Sequence, residues 1–285
     1  MLNNDTINRI EDFIYQKPRS IQEIAVFINK NWRTADRYVD QIKKDHGTLE
    51  TRTFREGTRG ALKIVYWASM EKRNQTIFQE ELEKRIFNAK KKEEFSCLDI
   101  FQHVPDKNKK AYVKNAKDEV AVGKLNEFRD LLLGVKNNIM FFSGNLSFIN
   151  YNDGKINIYE ILDSLAKRGV KMKAICRVDI AGKDNIEKLL FLNHKYGKEI
   201  VEIRHREQPL RITLVDSKMF NMKDIIIPSS REKELNKKLY VFYTVKDKAW
   251  SEWLAGIFSR MFNNSIGAEK RLEEINKLLK KNKLD

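Results

Sequence analysis

Polar and basic side chains of the kinds that contact DNA lie along one predicted helix near the beginning of the chain. Ala35, Val39 and Ile42 have the spacing of a buried helical face within residues 31–44. The other faces of this helix carry Arg33, Thr34, Arg37, Tyr38, Gln41 and Lys44. Side chains with these guanidinium, amide, hydroxyl and ammonium groups bind base edges and phosphates, so the helix is a candidate for entering a major groove.

The segment before this helix predicts a second, shorter helix that would position it. Ile21, Ile24 and Ala25 have helical spacing, and Ser20 with Glu23 forms the pattern of a capping box. A tight turn at residues 29–30 joins the two helices. Two helices joined in this way, the second one polar and basic, indicate a helix-turn-helix.

A predicted hairpin follows the two helices. Residues 48–54 and 62–67 are rich in β-formers, and the glycines of residues 55–60 supply the turn. Arg55, Arg59 and Lys63 lie at or near its tip, where they are candidates for contact with the DNA backbone. Residues 1–70 are therefore interpreted as a winged helix-turn-helix that binds DNA. The alternative is a small α+β domain of similar shape that docks on protein.

Composition narrows the class of protein and of partner. The 285 residues carry a formal net charge of +15, which favours anionic partners but is equally compatible with a generally lysine-rich proteome. The two cysteines are far apart and the four histidines are dispersed, so we expect neither a disulfide framework nor a metal site. No cofactor, signal peptide or membrane-spanning run is predicted, and a cytoplasmic, nucleoid-associated location is expected.

The middle of the chain is predicted to be less compact. Residues 73–92 have the apolar stripe of one helix, ending in three lysines at residues 90–92 that are interpreted as a solvated face. Residues 93–117 are polar and are interpreted as a linker with one short apolar element at residues 95–101. Residues 71–117 are therefore assigned to a helix and linker.

Alternating strands and helices begin after residue 118. Short apolar strands near residues 139–142, 170–176 and 199–204 are separated by amphipathic helices, which indicates a sheet with helices on both faces. The predicted fold class is therefore α/β and multidomain. This sheet domain is placed at residues 118–267, and residues 268–285 are interpreted as a charged C-terminal helix.

Residues 138–266 resemble the phospholipase D-like domain, in the version found behind winged helices in archaeal regulators of the TrmB type. Four features carry the resemblance: the Ser143-Gly144-Asn145 turn after the first strand, the helix ending at residues 167–170, the strand-turn-strand at residues 215–218, and the Trp250-x-x-Trp253 helix. The resemblance implies a TrmB-like transcriptional regulator. It also implies a two-fold mate for the sheet domain.

The catalytic motif of the active members is incomplete in this chain. Those members carry His-x-Lys-x4-Asp, with the histidine as nucleophile and the lysine stabilising phosphate charge. Here Asp216 takes the aspartate position, Arg211 the lysine position and Pro209 the histidine position. Proline cannot attack phosphorus, so the resemblance implies a retained fold, a lost reaction and no catalytic residue. The retained candidates for a ligand or anion site are Ser143, Asn145, His205, Arg211 and Asp216.

These observations predict a sequence-specific regulator that binds double-stranded DNA and forms a homodimer. Its sheet domain is expected to dimerise or to sense a small effector rather than to catalyse a reaction, and no membrane partner is expected. Two alternatives stay open from the sequence. One is a diverged phosphodiesterase or nuclease that uses His205 with Arg211, and the other is an adaptor whose winged helix docks on protein.

Overall fold

The computed structural model describes residues 2–55, 61–68, 75–115, 125–226 and 239–281. Over these residues the chain forms a small N-terminal unit, two connecting helices and a large sheet domain, which confirms the predicted α/β multidomain class. Among the described residues, no helix combines the length and the apolar character that crossing a bilayer requires.

The N-terminal unit has the order of a winged helix. Three helices precede a hairpin, and a two-residue strand completes a three-stranded sheet of order β1-β3-β2. The elements are α1 (Asn4–Gln16), β1 (Arg19–Ser20), α2 (Ile21–Phe27), α3 (Trp32–Asp45), β2 (Leu49–Arg55) and β3 (Ala61–Trp67). The hairpin tip, which includes the candidate Arg59, lies outside the described residues.

Local hydrogen bonds define the beginnings of the two central helices. The Ser20 hydroxyl accepts from the Glu23 backbone N–H at 3.1 Å, and the Glu23 carboxylate accepts from the Ser20 N–H at 2.7 Å, so the predicted capping box is confirmed. At α3, the Asn31 side chain accepts from the Thr34 N–H at 2.8 Å. Asn29 has a φ of 53°, which gives the sharp turn between α2 and α3.

The connecting region is more ordered than the sequence predicts. Helices α4 (Gln75–Asn88) and α5 (Cys97–Phe101) are followed by strand β4 (Lys109–Asn115). Strand β4 pairs with all seven residues of strand β10 (Leu239–Val245) at the edge of the large sheet. Residues 93–117, interpreted as a linker, therefore contain an edge strand of the sheet. Backbone pairing holds this strand although most of its residues are polar, and Val113 is a buried side chain in it.

The large sheet has eight strands in the order β11-β7-β6-β5-β8-β9-β10-β4. Strands β5, β6 and β7 are parallel, and all other neighbours are antiparallel. The remaining elements are α6 (Leu125–Leu133), β5 (Asn138–Phe142), α7 (Ile158–Lys167), β6 (Lys171–Cys176), α8 (Lys183–Tyr196), β7 (Val201–His205), β8 (Ile212–Val215), β9 (Met219–Ile226), β10 (Leu239–Val245), α9 (Lys248–Asn263), β11 (Ile266–Gly267) and α10 (Ala268–Lys281).

Helices cover both faces of the parallel strands, as predicted. On one face, residues of α6, α7 and α8 form a buried core with alternate residues of β5 and β6 such as Phe141 and Ala174. On the other face, α9 packs against Phe142 and Ile175. This alternation along β5 and β6 follows from the opposite directions of successive side chains in a strand.

The N-terminal unit is joined to the sheet domain by a shared apolar core. Phe54, Leu62 and Ile64 of the winged-helix hairpin belong to the same buried cluster as α4, α5 and β10. The Arg85 guanidinium, on α4, donates to Asp99 at 2.6 Å and to the Gln16 carbonyl at 3.3 Å. Buried apolar contact and polar contacts therefore both hold the two parts together.

Trp250 is a core residue of the sheet domain. Its side chain is 1% exposed, and its ring meets Trp253 edge-on at 5.2 Å between ring centres. Because Trp250 is already buried within one chain, it has no free surface to offer a partner. The unusual number of large apolar side chains on α9 is explained by the thick core beneath α4 and α5.

Candidate nucleic-acid interface and anion cavity

Four of the predicted DNA-contacting residues form an exposed row on α3. Arg33, Arg37, Gln41 and Lys44 are all exposed, and their spacing of three and four residues places them on one side of the helix. In the described part of the chain, neither arginine nor Lys44 forms an ion pair. Their charges are therefore available to an anionic partner.

Thr34 and Tyr38 are less accessible than predicted. Tyr38 is 8% exposed and packs in the core of the winged helix with Ala35 and Val39. The prediction of Tyr38 as a DNA-contacting residue is wrong because α3 buries a wider stripe than its most apolar residues indicate. Thr34 is half-buried in the first turn of α3, where its backbone N–H donates a hydrogen bond to the Asn31 side chain.

Lys63 is occupied within the winged helix. Its ammonium nitrogen lies 2.7 Å from Asp36 Oδ1 and 2.8 Å from Asp40 Oδ1, both on α3. Burial alone lowers the pKa of Lys63, but the hydrogen bonds and charges of Asp36 and Asp40 outweigh it and raise the pKa above its ordinary value. Lys63 therefore neutralises α3 rather than presenting a free charge, which corrects its predicted role. The Arg55 side chain, like Arg59, lies outside the described residues.

A second candidate site is an open cavity of about 1090 Å³ at the carboxyl ends of β5, β6 and β7. We call it the sheet cavity. Among the described residues, its lining contains seven basic residues and two acidic ones, which favours a positive field. The basic residues are Lys90, Lys91, Lys92, Arg177, Arg206, Arg211 and Lys223, and the acidic ones are Glu93 and Glu207.

Three of the predicted anion-site residues line the sheet cavity. Ser143 and Asn145 follow β5, and Arg211 immediately precedes β8. The side chain of Gln208 organises their loops: its Nε2 donates to the Ser143 carbonyl at 2.9 Å, and its Oε1 accepts from the Leu210 N–H at 2.6 Å. Gln208 is 2% exposed, and no pattern in the sequence singled it out.

Lys92 is the most perturbed basic residue of the sheet cavity. Its Nζ donates to the Leu210 carbonyl at 2.5 Å, which places it beside Arg211. Burial and the nearby positive charge of Arg211 lower the pKa of Lys92 to about 7. The interpretation of the lysine run as a solvated face holds for the exposed Lys90 and Lys91, whereas Lys92 turns inward because α4 has already ended at Asn88.

His205 and Asp216 do not line the sheet cavity. The His205 Nδ1 accepts from the Val178 N–H at 2.9 Å, and burial and the Arg271 charge lower the pKa of His205. Asp216 lies in the β8–β9 turn, at the opposite end of β8 from Arg211. Both residues were predicted as part of the anion site. That prediction is wrong because strand direction separates Asp216 from it and a backbone contact occupies His205.

The carboxylate of Asp216 binds backbone. Its oxygens accept from the N–H groups of Lys136, Asn137 and Asn138 at 2.9, 2.8 and 2.9 Å. Burial alone raises the pKa of Asp216, but these three hydrogen bonds outweigh it and lower the pKa. Asp216 therefore fixes the chain at the entry of β5.

Pro209 is buried between Gln208 and Leu210, at the position that the resemblance assigns to the nucleophile. Among the described residues that line the sheet cavity, none is a histidine. In the described ranges there is also no group of three or more His, Cys, Asp or Glu side chains that is arranged to hold a metal ion. The cavity thus offers cations and hydrogen-bond donors.

The wall of the sheet cavity continues across the antiparallel strands. Arg211 and Lys223 are joined by a hydrogen bond from the Lys223 N–H to the Arg211 carbonyl at 3.0 Å. Lys223 pairs with Phe242 of β10, and Phe242 pairs with Tyr112 of β4. The rings of Tyr112 and Phe242 lie 5.1 Å apart at 15° between planes. Two cations and two stacked rings therefore form one cross-strand row.

Comparisons with known proteins gave structural similarities only. No family model and no curated protein matches the chain. Nuc, a phospholipase D family member from Salmonella typhimurium, is 11% identical over 56% of this chain and 97% of its own, with a TM-score of 0.38. NucT from Helicobacter pylori is 12% identical over 56% and 99%, with a TM-score of 0.38.

TrmBL2, an archaeal chromatin protein, is similar over more of the chain. It is 16% identical over 93% of this chain and 94% of its own, with a TM-score of 0.36. Both kinds of protein that the sequence resembles, phospholipase D-like and TrmB-like, are therefore among the solved structures to which this chain is similar.

Proposed function

We propose that this protein is a DNA-binding transcriptional regulator whose sheet domain is not an enzyme. The observation that carries the proposal is the exposed row of Arg33, Arg37, Gln41 and Lys44 on the second helix of a helix-turn-helix. Arginine reads guanine with two hydrogen bonds, glutamine reads adenine, and lysine binds phosphate. An exposed helix with these groups has the chemistry of a recognition helix.

The charge on α3 favours DNA over a protein partner. Asp36 and Asp40 share Lys63, so half of the negative charge in the middle of the helix is offset within the domain. Lys43 is paired with Glu50 at 2.6 Å, which leaves the exposed arginines and Lys44 as free charges among the described residues.

The proposal includes a homodimer that binds two half-sites. A two-fold axis between winged helices places the recognition helices about one turn of DNA apart, roughly 34 Å. Linking two weak sites raises the affinity of the pair through effective concentration. Light scattering at tens of micromolar measures the oligomeric state. The full chain is used because a fragment beginning at residue 118 lacks the edge strand β4.

The absence of catalysis is proposed from the composition of the sheet cavity. Pro209 occupies the position that the resemblance assigns to the nucleophile. The His205 side chain does not line the cavity. We expect no turnover of bis-p-nitrophenyl phosphate, single-stranded DNA or duplex DNA, with or without divalent metal. Turnover by pure protein that disappears in His205→Ala contradicts the proposal and favours the enzyme alternative.

Selection from random duplex DNA tests the binding function. We expect an enriched motif, and Arg33→Ala with Arg37→Ala is expected to weaken its binding by roughly 1–3 kcal/mol for each arginine that reads a guanine. The matched control is Lys167→Ala with Lys198→Ala, which removes two exposed charges from the sheet domain. Equal loss in the two double variants, or no enriched motif, contradicts recognition by α3.

A further inference from the structure

The sheet cavity combines a cationic surface with an aromatic surface. An inorganic anion would need only the cationic one. One end carries Arg211 and Lys92, and the other end carries the stacked rings of Phe242 and Tyr112. Three strand spacings, about 14 Å, separate Arg211 from Tyr112 along the cross-strand row. A ligand that uses both ends must carry an anion and a flat ring at a distance.

We propose that the sheet cavity binds a mononucleotide, with its phosphate at Arg211 and Lys92 and its base against Phe242 and Tyr112. The inference deepens the proposed function, because it names the ligand class of the sensing domain and rests on that domain being a sensor. The cavity volume of about 1090 Å³ accommodates such a ligand, since small-molecule sites run from about 300 to 1,000 Å³.

The cationic end is built to receive phosphate. Among the described residues, the Arg211 guanidinium has no ion pair, and its fork matches two phosphate oxygens. Lys92 is held beside it by the Leu210 carbonyl at 2.5 Å. Two neighbouring cations repel each other when the site holds no anion, and a phosphate between them removes that repulsion. Burial is the main cause that lowers the pKa of Lys92 to about 7, and the Arg211 charge is the second.

The aromatic end offers a face for a base. Tyr112 and Phe242 lie nearly parallel, and nucleobases stack on such rings without sequence preference. Lys223 lies between the two ends, with its Nζ 3.7 Å from the ring centre of Tyr240 and 5.4 Å from that of Phe242. The ammonium therefore polarises the rings that the base would meet.

Asn221 lines the same cavity and carries a buried acceptor. Its Oδ1 is shielded from solvent and has no hydrogen-bond partner within the described residues. Buried acceptors of this kind are normally satisfied. Asn221 lies two residues before Lys223 on β9, so a ligand along the row would pass it and supply a hydroxyl or amino donor from the sugar or the base.

Calorimetry on the full chain tests the inference with defined probes. AMP, GMP, CMP and UMP are titrated alongside adenosine, ribose 5-phosphate and inorganic phosphate. We expect at least one mononucleotide to bind about tenfold or more tightly than either of its halves. Equal affinity for inorganic phosphate and all four mononucleotides overturns the base-binding end, and no binding at millimolar concentration overturns the site.

Variants of the two ends locate the ligand. Arg211→Gln is expected to weaken mononucleotide binding about tenfold or more, and Arg211→Lys to recover part of it. Phe242→Leu keeps the apolar volume but removes the ring, and it is expected to reduce AMP affinity to near that of ribose 5-phosphate. The matched control Lys198→Gln removes one exposed charge elsewhere and is expected to leave binding unchanged. Circular dichroism verifies that each variant is folded.

The outcomes separate this inference from the proposed function. Mononucleotide binding that is unaffected in both Arg211→Gln and Phe242→Leu overturns the site, while the selected DNA motif still tests α3. Binding of a single-stranded oligonucleotide that AMP does not displace also overturns it. If AMP binds and the phosphodiester substrates are turned over, the ligand site stands and the non-catalytic proposal fails.

Discussion

The Lys63 ammonium lies 2.7 Å from the Asp36 carboxylate, so strand β3 is tied to helix α3 by an ion pair. The same nitrogen reaches Asp40 at 2.8 Å. One cation is thus shared by two carboxylates and offsets one of their two negative charges. The pair links the helix to its hairpin and reduces the negative charge on the helix surface.

Replacing Lys63 by glutamine is expected to weaken DNA binding through repulsion by Asp36 and Asp40. The cost to stability is expected to be small, about 0.5–1 kcal/mol, because the carboxylates are partly exposed. Urea unfolding and binding to the selected motif measure the two effects. Adding Asp36→Asn and Asp40→Asn should restore affinity, whereas a lost phosphate contact would not be restored.

The control for this prediction is Lys43→Gln. It removes the same charge from the same domain but breaks the pair with Glu50 and leaves Asp36 and Asp40 neutralised. If Lys63→Gln weakens DNA binding no more than Lys43→Gln does, the local repulsion argument is wrong.

Asp216→Asn is expected to lower the unfolding free energy by about 1–3 kcal/mol at pH 7 without changing mononucleotide binding. The amide presents a donor to one of the three N–H groups that the carboxylate binds, while asparagine tolerates the φ of 49°. Urea unfolding measures the change. Asp130→Asn, an exposed carboxylate paired with Arg129, serves as the control with little expected effect.

The Asp216 effect is expected to depend on pH. The hydrogen bonds lower the folded-state pKa below the ordinary value of 3.8, so the unfolded state binds the proton first as pH falls. The stabilisation is therefore complete above about pH 5 and is lost as pH falls below 4 through the folded pKa. A difference between wild type and Asp216→Asn that stays constant down to pH 2 would contradict the assignment.

Asp99→Asn is expected to flatten the dependence of stability on pH between about 4 and 6. Burial, opposed by Arg85, raises the pKa of Asp99 to about 6. The folded state then holds a proton that the unfolded state has lost, so the unfolding free energy falls as pH rises through this window. Denaturation at pH 4, 5, 6 and 7 tests this. Burial also raises the pKa of Asp224. This residue is unchanged in the variant, so its contribution to the pH dependence of the unfolding free energy is expected to stay.

Lys92→Met is expected to remove a slope of the opposite sign from pH 7 to 10. Burial and Arg211 lower the folded pKa of Lys92 to about 7, so between pH 7 and 10 the unfolded state alone is protonated and the unfolding free energy rises with pH. The unfolding free energy of the variant should therefore exceed that of wild type by most at pH 7 and below. Lys91→Met changes an exposed neighbour and should leave the slope intact.

Elements with local signals could be predicted from the amino-acid sequence alone. The capping box at Ser20 and Glu23, the apolar stripe of α3 and the alternation of strands with helices after β5 are patterns of neighbouring residues, and the structure has each of them. The proline at position 209, where the resemblance places a histidine, is likewise visible in the residue alone. Such features depend on hydrogen bonds and periodicities that span only a few positions.

Which of the candidate residues lie close together depends on the folded chain and could not be predicted from local patterns. Asp216 and Arg211 are five positions apart in sequence, but a strand carries them to opposite ends of the sheet. Lys92 and Arg211 are 119 positions apart, yet folding places them side by side around the Leu210 carbonyl. Strand pairing also aligned Arg211 with Tyr112. Register and chain crossing set these distances, because a sheet joins residues by backbone hydrogen bonds that no local pattern encodes.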